Sequence, residues 1–284
     1  MDTACLNYCL TEQEQRDFEE QGYFIIENAI SPQMIEKLTA VVDRIDSQER
    51  IKQGLGPNDR MFMADFIGKD DIFLSLLDWP QTIAKVWGIL GWNIQLYHTH
   101  LIVTPPVPPA EQQNKKVRFS WHQDSGRLNW EMETNPRPRI SLKVAFFLTD
   151  TREVGSGNFY VIPGSHVWNS IDFPDDPTAN PAGATPVRAA PGSAVFFDRR
   201  IWHAGTPNYA GHARKVLFYG YSYRWIRPRD NMTVDRYMES CDPIQRQLLG
   251  ASPTGGLGYS SPTEEDVPLK SWIAEHAGAA AMMP

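Results

Sequence analysis

The stretch Ile140-Ser141-Leu142-Lys143-Val144-Ala145-Phe146-Phe147-Leu148-Thr149 reads as one long apolar strand. Gly155-Ser156-Gly157 then forms a turn, Asn158-Phe159-Tyr160-Val161-Ile162 a second strand, and Pro163-Gly164 a stop. Outward from it, extended segments recur at 93–104 (ended by Pro105-Pro106), 118–124, 194–198 and 215–225. Short strands punctuated by Gly and Pro point to a barrel or a double-sheet jelly roll rather than to βαβ units. The intervening 165–190, rich in Pro, Asp and Ala, reads as a loop insertion and as a candidate lid over the mouth of a site.

The ends of the chain are helical. Thr11 with Glu14 makes a near capping box and Gly22 a stop, with Tyr23–Ile26 a short strand beyond it. Ser31-Pro32 opens a second helix, whose Ile35, Leu38, Val41, Val42 and Ile45 keep helical spacing. A third helix is expected over 79–90, and shorter ones at 244–249 and 268–276, with 252–262 as loop. The expected organisation is one domain over 1–284: a helical part to about 92, a core over about 93–228, and an extension from 229.

The chain of 284 residues carries 27 Lys and Arg against 34 Asp and Glu, a net charge of −7. That balance gives no general attraction to nucleic acid or to anionic lipid. No apolar run approaches the roughly 18 residues that span a bilayer. The first residues lack the basic and apolar regions of a secretory signal. Three cysteines, Cys5, Cys9 and Cys241, are an odd and low number that suits a reducing cytoplasm and ordinary thiols. Oligomeric state is not legible.

Trp121-His122-Gln123-Asp124 carries the chemistry. On an extended strand, residues two apart share a face, so His122 and Asp124 converge on one point. His203, in Ile201-Trp202-His203-Ala204-Gly205, supplies a second imidazole. Two His and one carboxylate make the facial triad of non-haem Fe(II) sites with positions left open, although such ligands also suit zinc. Arg214 follows at the start of an apolar strand. Its planar fork suits the far carboxylate of a 2-oxo diacid; the plainer alternative is a surface salt bridge.

These features together resemble the phytanoyl-CoA dioxygenase family of Fe(II)- and 2-oxoglutarate-dependent oxygenases. The resemblance rests on His122-Gln123-Asp124, on Gly155 through His166 (GSGNFYVIPGSH), and on the His203…Arg214 spacing. It extends to Tyr97-His98-Thr99-His100-Leu101-Ile102 and to the early Phe18…Gly22-Tyr23…Ile30. It implies a mainly β fold with flanking helices, a double-stranded β-helix or cupin-like jelly-roll barrel. It implies Fe(II) on His122, Asp124 and His203, with 2-oxoglutarate as co-substrate on Arg214. Gln123 is a secondary co-substrate contact, and Thr104 stands where some members carry a Lys. Gly205 occupies a position that often holds a hydroxyl in the family. The implied reaction uses O₂ and yields succinate and CO₂ while a C–H bond of a small molecule is oxidised, usually by hydroxylation. Desaturation, cyclisation and rearrangement are variants. Related halogenases replace the carboxylate by a small residue; Asp124 leaves no such opening.

Other neighbours keep two readings. His98 and His100 share the face of Thr104 and either line the substrate pocket or are satisfied interior histidines. Arg127, Asn129 and Trp130, on an expected loop, either meet substrate or lie exposed. Arg224 and Arg227 either bind an anionic substrate group or sit on the surface. Trp121 and Trp202 point away from the ligands and fill core; His166, after Pro-Gly-Ser, is structural. A cupin-like enzyme without 2-oxoglutarate would not need Arg214, and a retired binding protein would be expected to have lost a ligand.

Overall fold

The computed structural model describes residues 1–112, 118–278 and 281. Nine strands form two sheets. They are β1 (Tyr23–Ile26), β2 (Met61–Ala64), β3 (Ile94–Thr104), β4 (Ser141–Phe147), β5 (Phe159–Val161), β6 (Thr185–Val187), β7 (Ala194–Asp198), β8 (His203–Gly205) and β9 (Arg214–Tyr223). The larger sheet runs β1-β7-β4-β9-β3-β2 and the smaller β6-β5-β8, every pairing antiparallel. The double-stranded β-helix expected from the sequence is present. Helices α1 (Glu12–Gln21), α2 (Pro32–Gln53), α3 (Asp71–Leu74), α4 (Pro80–Leu90), α5 (Gly126–Glu131), α6 (Pro243–Leu248) and α7 (Pro268–His276) accompany it. No described helix is long and apolar enough to cross a membrane.

Local chemistry places the helix ends where the sequence puts them. The Thr11 hydroxyl accepts from the Glu14 amide while Glu14 accepts from the Thr11 amide, and Gly22 closes α1 in the left-handed region at φ +80. Ser31 caps α2 with Pro32 first. His166 is buried behind Gly22, and one ring nitrogen meets the Glu19 carbonyl at 3.1 Å. It ties the turn after β5 to α1, the structural role expected of it.

The long strands are apolar on both faces because both faces are covered. One face of the larger sheet presents Leu101, Val144, Phe146, Phe196, Leu217 and Tyr219 to the helices. Tyr219 and Tyr221 donate their hydroxyls to the carbonyls of Phe73 and Leu77. The other face packs Ile102, Phe147, Val195 and Val216 against Phe159, Val161 and Val187 of the smaller sheet. The register aligns rows across this inner face. Phe197, Lys143, Gly220 and His98 oppose one another in turn, as do Val195, Ala145, Phe218 and His100, and Arg214 faces Thr104.

Three expectations change. Arg127, Asn129 and Trp130 lie on α5 rather than on a loop. The segment 165–190 contributes β6 at its end, and none of its residues lines the main cavity. Its carbonyls at Pro174, Asp176 and Ala179 accept from Arg118, and Asn180 accepts from the Trp121 indole. It therefore braces the segment leading to His122 and is no lid. Trp202 is only half-buried, while Trp121 is in core.

Gly220 makes room for His98: a Cβ there would lie 2.4 Å from the imidazole. Gly220→Ala should cost about 1–3 kcal/mol of unfolding free energy in urea titrations. Adding His98→Ala should cost less than the two single losses summed; strict additivity would refute this packing.

Candidate active site

Backbone pairing brings the two histidines together. His122 and His203 exchange amide hydrogen bonds, both 3.0 Å, as an isolated antiparallel bridge beside β8. The Asp124 amide donates to Arg199 at 2.9 Å, turning the carboxylate inward. Ser125 then bends away at φ +62 into α5. One ligand atom from each of His122, Asp124 and His203 lies within 4.8 Å of the others.

The protonation pattern follows from the partners. Nδ1 of His122 sits 2.8 Å from the Ser120 carbonyl, and Nδ1 of His203 sits 2.8 Å from that of Ile201. A carbonyl only accepts, so each Nδ1 carries the proton and each Nε2 keeps its lone pair. Burial pushes the His203 pKa down to about 4, against the pull of Asp124. Burial alone would raise the Asp124 pKa, but Lys143 and His203 outweigh it and hold the carboxyl below its usual range. Lys143 Nζ donates to Asp124 Oδ1 at 2.8 Å. Oδ2 is buried with no hydrogen-bond partner among the described residues. Two free imidazole lone pairs and one orphaned carboxylate oxygen are the donor set that a divalent cation takes.

A cavity of about 960 Å³ opens over these groups. Arg214 lies on its wall, buried, with its guanidinium 5.6 Å from the Phe147 ring centroid. It makes no side-chain hydrogen bond or ion pair among the described residues, and its buried Nε is unsatisfied. Burial, reinforced by the charge of Arg60, disfavours its cationic form. An anion entering the cavity would relieve that cost. Thr104 stands opposite Arg214 across β3 and β9, though not on the cavity wall.

Gln123 touches the cavity, but its amide serves the scaffold. The nitrogen donates to the carbonyls of Trp168 and Arg200, and the oxygen accepts from Arg137 at 3.1 Å. Asn129 likewise donates to the Asp124 carbonyl at 2.8 Å and accepts from Arg199. It braces the His-Gln-Asp segment from behind. His100 lines the cavity with its ring tilted 56° to that of Phe62, the centroids 4.9 Å apart, and His98 is buried beside it. Arg127 and Arg227 reach the wall, Arg127 paired with Glu131 at 2.6 Å. Trp130 is 86% exposed and lies outside the lining. Arg224 is also outside it, donating to Ala251 and Ser252 and so anchoring the C-terminal extension.

Sequence reading missed Lys143 and Arg60. Lys143 is the one charged residue in the apolar run 140–149, a signal that was available. Arg60 precedes β2, a strand too short to announce itself.

The sequence profile of the phytanoyl-CoA dioxygenase (PhyH) family matches residues 18–216. The chain belongs to that family. It is an Fe(II)- and 2-oxoglutarate-dependent dioxygenase by membership. The dioxygenase trt7 of Aspergillus terreus is 25% identical over 256 residues, covering 84% of this chain and 83% of that protein. The ectoine dioxygenase of Stutzerimonas stutzeri is 26% identical over 237 residues, covering 72% and 74%. A structure of HygX from Streptomyces hygroscopicus, with nickel and 2-oxoglutarate bound, superimposes with a TM-score of 0.57 at 14% identity. It covers 78% of this chain and 90% of that one, a likeness of fold.

Two outcomes follow for the PhyH-family fold around this site. Lys143→Met leaves the buried Asp124 charge unpaired, so metal-free protein should lose about 3–5 kcal/mol in urea unfolding. Asp124→Asn in the same chain should restore much of it. The second concerns protons. Burial holds the His98 pKa well below 6.5 and lowers that of His100 to about 3. The unfolded chain, with ordinary values near 6.5, binds more protons below that pH. Metal-free stability should therefore be fully present above pH 6.5 and fall as pH drops towards 5, by up to about 1.4 kcal/mol per pH unit for each histidine. His100→Leu should flatten the slope; an unchanged slope would show that His100 already carries its charge in the fold.

Proposed function

We propose that the chain acts as one catalytic unit that hydroxylates an unactivated C–H bond of a small organic molecule. In this reading His122, Asp124 and His203 hold Fe(II), and Arg214 holds the distal carboxylate of 2-oxoglutarate with Thr104 beside it. The observation that carries it is a buried guanidinium without a partner, in the same cavity as three convergent ligand atoms. When bound, Fe(II) with 2-oxoglutarate and O₂ supplies the oxidising power, with succinate and CO₂ as co-products.

The residues of the chain do the rest. The Ser120 and Ile201 carbonyls fix the two imidazoles with Nε2 inward. Lys143 donates to one carboxylate oxygen of Asp124 and so fixes the orientation in which the carboxylate would ligate the metal; the other oxygen has no hydrogen-bond partner among the described residues. Such support of ligand groups by outer partners sets their orientation and affinity. Arg214 orients the co-substrate from the far end by two parallel hydrogen bonds. Phe159, Phe197 and Phe218 line the cavity close to the metal ligands and to Lys143, where they exclude water.

The test is Fe(II)-dependent conversion of 2-oxoglutarate to succinate. His203→Ala should abolish it and weaken Mn(II) binding. Arg214→Ala should keep Mn(II) binding but weaken 2-oxoglutarate binding about 10- to 100-fold, the worth of a charge-assisted pair. Normal turnover in either variant would reject the assignment.

A further inference from the structure

The cavity carries more positive charge than one co-substrate uses. The chain is acidic overall, and most of its arginines are engaged: Arg139 by Glu19 and Asp198, Arg200 by Asp198, Arg118 by three carbonyls. Five arginine side chains make no hydrogen bond and no ion pair within 4 Å among the described residues. They are Arg60, Arg188, Arg214, Arg227 and Arg229. All but Arg188 line the same cavity. Asp124 is the only carboxylate on that wall among the described residues, and Lys143 already pairs with it.

The four differ in depth. Arg214 is buried, whereas Arg60, Arg227 and Arg229 are exposed at the rim. Arg60 enters from the chain before β2, and the other two from the segment after β9. Arg60 and Arg229 lie on the same wall as His100, and the charge of each bears on that imidazole. Between rim and depth the lining is apolar, with Phe62, Ile102, Phe218 and Trp225. A cavity of about 960 Å³ lies at the upper end of sites for drug-sized ligands. A five-carbon diacid spanning Arg214 and the metal ligands leaves both this apolar wall and the rim arginines unused.

We propose that Arg60, Arg227 and Arg229 form a second oxyanion site, which selects substrates with an apolar body and a carboxylate or phosphate group. Guanidinium forks match either oxyanion in bidentate fashion. The anion sits at the rim, the apolar body lies along Phe62 and Phe218, and the oxidised carbon points to His122, Asp124 and His203. This deepens the proposed function and rests on Arg214 being taken by 2-oxoglutarate.

The test titrates full-length protein, loaded anaerobically with Fe(II) and saturating 2-oxoglutarate, with 2-naphthoate, 2-naphthyl phosphate and the neutral 2-naphthamide. Calorimetry should show an anion bound about tenfold or more tightly than the amide. The tighter of the two anions tells carboxylate from phosphate ester. The triple variant Arg60→Gln, Arg227→Gln, Arg229→Gln should lose the preference while it still binds 2-oxoglutarate, and Arg227→Gln with Arg229→Gln alone should weaken the preference with 2-oxoglutarate affinity unchanged. Arg188→Gln, outside the cavity, should keep the preference. Four results would each overturn the proposal: equal binding of anion and amide, no saturable anion binding at millimolar concentration, a preference that survives the triple variant, or displacement of 2-oxoglutarate by the anions. Repeating the titrations on the iron-loaded protein without 2-oxoglutarate, and titrating 2-oxoglutarate itself in the same way, separates the two readings. An anion preference that persists where 2-oxoglutarate itself fails to bind would reject the co-substrate assignment and leave the rim site standing.

Discussion

The reciprocal amide bonds between His122 and His203 are the constraint on which the site depends. They join a segment with no strand partner of its own to β8 at the edge of the smaller sheet. Once that bridge forms, strand geometry dictates that Asp124, two residues on, faces the same way as His122. Each imidazole is then pinned through Nδ1 by a carbonyl two residues before it. The three candidate ligand atoms therefore already lie within 4.8 Å of one another in the fold itself. Such preorganisation keeps ordering entropy out of the binding step.

The surroundings apply the same logic to charge. Asp124 is surrounded by groups that keep it ionised in a buried setting: Lys143 in contact and His203 at 3.9 Å. Its backbone is held by Asn129, and Asn129 in turn by Arg199. Gln123, pointing the other way, is tied to the carbonyls of Trp168 and Arg200. The two faces of the His-Gln-Asp triplet thus differ: one converges on His203 and the cavity, the other is tied to the scaffold. A buried ion pair is weak evidence of net stability, since desolvation offsets much of the attraction. What Lys143 contributes is orientation: it leaves one defined carboxylate oxygen free.

Arg214 and the rim arginines show how burial and pairing divide the same residue type between tasks. Arg139 and Arg200 meet Asp198 and close the scaffold. Arg214, more deeply buried than Arg139, makes no side-chain hydrogen bond or ion pair among the described residues, and its guanidinium lies 5.6 Å from the Phe147 ring centroid, in the field of Arg60. That buried guanidinium without a side-chain partner is what the proposed co-substrate role rests on. Arg60, Arg227 and Arg229 are exposed and without hydrogen-bond or ion-pair partners among the described residues, although burial of part of the Arg60 side chain disfavours its charge.

Periodicity and turn chemistry in the sequence determined the long elements and singled out the three residues, His122, Asp124 and His203, that the fold brings together. The capping box at Thr11, the Pro-first helices, the apolar run of β4 and the His-x-Asp parity are all local signals, and local signals survive without the fold. Strands of three or four residues, β2, β6 and β8, are too short to carry a period, and α5 had no apolar stripe to reveal it. The tertiary structure alone decided which charges stand together. Lys143 meets Asp124 and Arg60 joins the cavity wall because sheet register, a long-range property, places them there. It also decided that 165–190 braces the His122 segment rather than covering the mouth, since Arg118 and Asn180 hold it. Composition says how willing a segment is to bury itself; only the packed partners say where it lies.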